Sequence, residues 1–190
     1  MRTRRLFVAL NLPRTARERI HWACRSLRDR NLPVPWVDPE NYHITLKCLG
    51  EVRTDRLQCI EEIVAHAAAK SAPFAAALYG FGAFPTDRRP GVLGVGVELT
   101  PALRCLKQDV EWVLTRAGFE RETRVFHHHL TLGRVGRENG AGAFHGLDEV
   151  LAVLPYAGSM AVTSVELMRS HTSRGGVRYT VISSYPLTDG

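Results

Sequence analysis

Stretches of period two and stretches of helical period succeed one another along the chain, and their order repeats. Residues 4–12 (RRLFVALNL) form an apolar run closed by Pro13, which predicts a strand. Residues 15–29 set Ile20, Cys24 and Leu27 on one helical face, with Thr15 as the candidate cap. The proline-rich polar stretch 31–41 predicts a loop. In YHITLKCLG, residues 42–50, alternation turns His43, Thr45 and Lys47 to one side and Ile44, Leu46 and Cys48 to the other. Thr54 can cap a helix over 55–70 carrying Leu57, Ile60 and Val64, and residues 74–84 predict a strand weakened by glycine.

The second half opens the same way. Residues 91–99 predict a strand. Thr100 can cap a helix that starts at Pro101 and ends near Gly118, with Leu103, Leu106, Val110, Val113 and Leu114 as its apolar stripe. After a loop at 119–126, HHHLTLGRV (127–135) turns His129 and Thr131 one way and Leu130 and Leu132 the other. Residues 136–146 are glycine-rich and predict a flexible loop; 160–171 and 176–187 predict a hairpin across the turn TSRGG. Each half thus runs strand, helix, loop, then a strand bearing His-x-Thr-Leu. The expected fold is α+β: residues 1–190 form one bilobal domain with a pseudo-two-fold axis. Two antiparallel-rich sheets would carry outer helices and enclose a central cleft.

Composition narrows the partner. With 45% hydrophobic and 23% charged residues the chain has ordinary globular composition, and 25 Lys and Arg against 19 Asp and Glu give +6. That excess favours a polyanion. No apolar run approaches the roughly 20 residues that span a bilayer. Cys24, Cys48, Cys59 and Cys105 lack metal-type spacing and read as buried free thiols of a cytoplasmic protein.

The two His-x-Thr segments, His43–Thr45 and His129–Thr131, carry the chemistry. Residues i and i+2 of a strand share a face about 6.5–7 Å apart, so an imidazole and a hydroxyl can reach one small anion. Two such strands would surround one phosphorus with two imidazoles and two hydroxyls. One imidazole takes a proton from water while the other gives one to a departing oxygen. This scheme needs neither metal nor cofactor. The run His127, His128, His129 leaves a metal-site reading open, although no carboxylate or cysteine ligand lies close in sequence.

With RLFVALNLP (5–13), WVDPENYHITLKCLGEV (36–52), HHHLTLGRV and VELMRSHTSRGGVRYTVISSYPL (165–187), the chain resembles the two-histidine (2H) phosphoesterase superfamily. Within it the likeness is to the RNA 2′,3′-cyclic phosphodiesterases, also called 2′-5′ RNA ligases. The resemblance implies motifs facing each other across a cleft and hydrolysis of RNA 2′,3′-cyclic phosphate ends, tRNA fragments among them, to 2′-phosphates. Some members of the family also make 2′-5′ joins. The resemblance further implies His43 as proton donor and His129 as proton acceptor. A proline often stands in relatives where this chain has His128.

Further candidates surround the motifs. Lys47 shares the parity of His43 and could meet RNA phosphates. Arg134 is a phosphate ligand by resemblance, but simple alternation turns it away from His129 unless a bulge at Gly133 restores it. Phe126 and Tyr42 could stack a terminal base. Arg178 and Tyr179 could line the cleft edge. The expected assembly is a monomer. Two rival functions remain open: an esterase for a small cyclic nucleotide, which pocket size would separate, and a passive RNA-binding module, which turnover would exclude.

Overall fold

The computed structural model describes residues 2–86, 89–123, 128–136, 141–173 and 176–188. The strands are β1 (Thr3–Asn11), β2 (His43–Arg53), β3 (Phe74–Thr86), β4 (Arg89–Val97), β5 (His129–Arg134), β6 (Ala157–Val162), β7 (Ser164–Ser173) and β8 (Gly176–Pro186). The α-helices are α1 (Arg14–Ala23), α2 (Arg25–Arg28), α3 (Leu57–Ala68), α4 (Pro101–Arg116) and α5 (Leu147–Ala152).

All eight strands join one antiparallel sheet in the order β6-β3-β4-β5-β2-β1-β7-β8. The two expected sheets are its halves, four strands each. They meet at a narrow seam where β2 and β5 pair through Ile44 and Leu130. Each motif strand is therefore the inner edge of its own lobe. Against one face of the sheet lie α3 and α4, packed on each other, with α3 touching β7 and β8 and α4 touching β2. Leu10, Ile44, Val95, Leu130, Val64 and Leu106 belong to the core enclosed there. The opposite face carries the motif side chains.

Local sequence explains the elements and their limits. The Thr100 hydroxyl accepts from the Leu103 N–H (3.3 Å) and caps α4 as expected. Thr54 instead opens a 3₁₀ turn ahead of α3, and neither it nor Thr15 caps its helix. The expected helix over 15–29 is broken at Cys24 into α1 and α2. The expected strand at 160–171 is two strands, β6 and β7, parted at Thr163. Part of the expected loop at 136–146 is a 3₁₀ turn (Ala141–Phe144) leading into α5; residues 137–140 lie outside the described residues. All four cysteines are free, but only Cys24 is buried, which corrects the expectation for Cys48, Cys59 and Cys105.

Candidate active site

The β2–β5 register builds the site. Ile44 and Leu130 face each other and both point into the core. In an antiparallel pair the flanking residues then fall opposite one another on the other face: His43 beside Thr131, and Thr45 beside His129. The four side chains form a rectangle. The histidines occupy one diagonal and the threonines the other, and diagonal neighbours stand about 7–8 Å apart. A tetrahedral phosphorus set between them would have an imidazole on each side, one to serve the attacking oxygen and one the leaving oxygen of an in-line displacement.

Each motif strand bulges just after the motif. On β2, Thr45 pairs with Ala9 and Lys47 with Val8, so Leu46 is the extra residue. On β5, Thr131 pairs with Gly94 and Gly133 with Leu93, so Leu132 is the extra residue. A bulge reverses the parity of the residues beyond it. Arg134, opposite Val92, is thereby returned to the histidine face, against simple alternation, by a bulge at Leu132, one residue before the position considered for it. Lys47 goes the other way. Its ammonium points to the helices and donates to Glu111 Oε1 (2.7 Å) and to the Glu120 carbonyl (2.5 Å), with the side chain 3% exposed. The alternation that put Lys47 beside His43 fails at Leu46, and Cys48, opposite Phe7, takes the position facing the site.

Two glycines permit the close approach around β5. A Cβ on Gly94 would lie 2.4 Å from the Leu130 carbonyl oxygen, and one on Gly133 would lie 2.3 Å from Val34 Cγ1. Segment 34–37 continues the edge of β5 where β2 ends: Trp36 bridges Gly133, and the Val37 N–H donates to the Leu132 carbonyl (2.7 Å).

The His43 ring is held on three sides. Its Nδ1–H donates to the Asn41 carbonyl (2.7 Å), since a carbonyl oxygen can only accept. This fixes the tautomer and leaves Nε2 to carry the exchangeable proton. The Phe7 ring lies 4.9 Å from the imidazole and the Tyr179 ring 4.7 Å, edge-on. Burial pushes His43 below the ordinary histidine range, the Asn41 carbonyl opposes that, and the positive charge of Arg134 adds to it. His129 is less buried and stacks on Phe84 at 4.7 Å with the rings 17° from parallel.

The remaining candidates separate. Tyr179 joins the site, and its N–H is tied to the Asn41 Oδ1 (3.1 Å). Arg178 pairs with His171 and, one residue before Tyr179, projects from the opposite face of β8. Tyr42 is 2% exposed and sits in the core beside the Cys24 thiol, so it cannot stack a base. Phe126 and His127 lie outside the described residues. Among the described residues no group of three or more His, Cys, Asp or Glu side chains could hold a metal ion. Sequence reasoning passed over Asn41, Phe7 and Phe84. Phe7 shares β1 parity with Ala9, which pairs with Thr45, but only the strand order brings it to His43.

Known proteins resemble this chain over most of its length. A family model described as LigT like Phosphoesterase matches residues 10–94. The RNA 2′,3′-cyclic phosphodiesterase of Methanothermobacter thermautotrophicus is 32% identical over 185 residues, 96% of this chain and 98% of that protein. That of Geobacillus stearothermophilus is 33% identical over 191 residues, covering 98% of this chain but 58% of the relative's own length. The crystal structure of Escherichia coli LigT complexed with 3′-AMP superposes with a TM-score of 0.77 at 28% identity, covering 98% of this chain and 99% of that one.

Proposed function

The chain belongs to the LigT-like phosphoesterase family, and from that premise we propose that it hydrolyses 2′,3′-cyclic phosphate ends of RNA to 2′-phosphates. The observation that carries the reading is the Ile44–Leu130 pairing, which sets the histidines on one diagonal and the threonines on the other.

The chemistry comes out of that rectangle. His129 takes a proton from water as the water oxygen bonds to phosphorus. The bond from phosphorus to O3′ breaks on the far side, and His43 Nε2–H protonates the departing oxygen. Phosphate remains on O2′ and the 3′-hydroxyl is restored. Thr45 and Thr131 donate to the non-bridging oxygens, and Arg134 offsets their charge. Free His43 favours its neutral form, so the substrate itself helps to arm the acid: the phosphodiester anion favours the imidazolium. Its hydrogen bond to Asn41 persists in both protonation states. A 5′-hydroxyl of a second RNA in place of the water would take the same path: His129 removes its proton as O5′ bonds to phosphorus, the bond to O3′ breaks, His43 protonates O3′, and a 2′-5′ join results.

The finer reading is a monomeric cytoplasmic enzyme acting on RNA 3′ ends, tRNA fragments among them. The net charge of +6 and the free thiols support it. The test is a short oligonucleotide ending in a 2′,3′-cyclic phosphate, with the product identified. A 2′-phosphate end is expected. A 3′-phosphate product would reverse which oxygen leaves, and no turnover would leave a binding module.

A further inference from the structure

Helix α4 carries a second surface that the rectangle does not use. Its buried stripe is Leu103, Leu106, Val110 and Leu114. On another side Arg104, Gln108, Trp112 and Arg116 recur every fourth residue and so form one line, about 18 Å long at the rise of a helix. This line borders a groove of about 1100 Å³. Five cations, Lys70, Arg104, Lys107, Arg116 and Arg121, line it against the two acids Asp109 and Glu111, and Glu111 is already paired with Lys47. Lys70, Arg104 and Arg116 are exposed and enter no ion pair among the described residues. Trp112 is 56% exposed, and the Arg116 guanidinium lies 4.7 Å from its ring centre.

The groove is continuous with the catalytic face. Beyond Ile44–Leu130 the edge of β2 has no strand partner on the β5 side among the described residues. A cleft of about 350 Å³ opens there, lined by residues 45–48 of β2, by Lys107 and Glu111 of α4 and by residues 120–123, with Lys47, Lys107 and Arg121 set among Glu111, Glu120 and Glu122. Lys107, Glu111 and Arg121 also line the larger groove. Shared lining residues therefore trace a path from Thr45, at a corner of the rectangle, past the edge of β2 to the cationic line on α4.

A cyclic phosphate is a 3′ end, so the rest of its strand must leave the site in the 5′ direction. We propose that this strand lies in the α4 groove, with its phosphates against Lys70, Arg104 and Arg116 and a base on Trp112. The proposal rests on the reading of the chain as an enzyme of RNA 3′ ends. Positive charge along a channel and a stackable aromatic are what single-strand binding without sequence preference requires.

The test compares the wild-type protein with K70Q/R104Q/R116Q on two substrates: an oligoribonucleotide of about twelve nucleotides ending in a cyclic phosphate, and cytidine 2′,3′-cyclic phosphate. The variant is expected to lose at least about tenfold in kcat/KM on the oligonucleotide and to leave the mononucleotide unchanged. Its log-log salt slope should fall by up to about 2, at roughly 0.7 per phosphate contact on a single strand. Unchanged oligonucleotide kinetics and slope would overturn the proposal. Amide NMR mapping on the wild-type protein decides it without any variant. An oligonucleotide ending in a 2′-phosphate should shift resonances along 104–116, and cytidine 2′-phosphate should not. Absence of those shifts refutes the groove. Failure of the wild-type protein to hydrolyse either substrate refutes the catalytic reading instead, while the NMR map still decides the groove.

Discussion

Replacing Lys47 by methionine separates two readings of the same residue. By plain alternation Lys47 is a phosphate ligand; by the bulge at Leu46 it is half of an ion pair buried under the sheet. Removing one member of a buried pair costs about 3–5 kcal/mol, because the other charge is left without its partner. Here the loss falls at the low end, about 3 kcal/mol. Glu111 keeps the Glu122 N–H (2.9 Å) and the Thr115 hydroxyl (3.4 Å), and its side chain is 19% exposed. For a chain of this size about 3 kcal/mol corresponds to a fall of roughly 6–12 °C in Tm. K47M/E111Q removes both charges and should regain at least about 1 kcal/mol over K47M. Denaturant unfolding measures the stabilities, and turnover of cytidine 2′,3′-cyclic phosphate below the melting range measures the chemistry. K47M should turn over within about threefold of the wild-type protein, since the Lys47 ammonium is committed to Glu111 and to the Glu120 carbonyl. An unchanged Tm together with a hundredfold loss of turnover would refute the bulge and return Lys47 to the phosphate.

Three other outcomes are expected of the site. NMR titration of the free protein should give His43 a pKa below about 6.5; R134Q should raise it, and a bound phosphate monoester should raise it in the wild-type protein. Because the folded value is depressed, the unfolded chain binds the extra proton. The stability tied to neutral His43 is thus full above about pH 6.5 and lost as pH falls through the folded pKa; a His43 pKa above that of a model peptide would contradict this. G94A must move β4 off the Leu130 carbonyl, at a cost of about 1–3 kcal/mol, and the shift passes through β5 to His129; single-turnover rates unchanged from the wild-type protein would show that the close approach does not position the ring. Hydrolysis should proceed at full rate in excess EDTA, since the acid and base are imidazoles, and loss of rate restored by a divalent ion would overturn the proton-transfer scheme.

The motif strands, the helices at 57–68 and 101–116 and the two-lobed order were legible in the sequence because those features depend on local periodicity and caps. Thr100 shows this: one hydroxyl beside Pro101 marks where α4 begins. What stayed hidden depends on partners. A bulge is a mismatch between two strands, so neither Leu46 nor Leu132 announces it alone. The parity of Lys47 and Arg134 could only be conditional until β1 and β4 were seen beside them. Asn41 escaped notice because it holds His43 through a backbone carbonyl, which no side-chain motif encodes, and its side chain meets Tyr179, a partner far off in the chain. Tyr42 looked like a stacking residue from its place next to His43, yet the same alternation that exposes His43 to the site turns Tyr42 into the core. The short helix α5 and the break at Thr163 lie in segments whose periodic runs are too brief to read.

Catalysis by this scheme requires the two histidines to act together, and single-turnover hydrolysis of an oligonucleotide ending in a 2′,3′-cyclic phosphate tests that most directly. The comparison is between the wild-type protein, H43A, H129A and the double variant, with binding measured alongside. Each single variant should lose about 10²–10⁴-fold in the chemical step while binding changes little, and the double variant should lose little more than the worse single one. A substrate with a better leaving group should rescue H43A more than H129A. Near-normal turnover in both single variants would contradict the two-histidine mechanism, and preferential rescue of H129A would exchange the two roles.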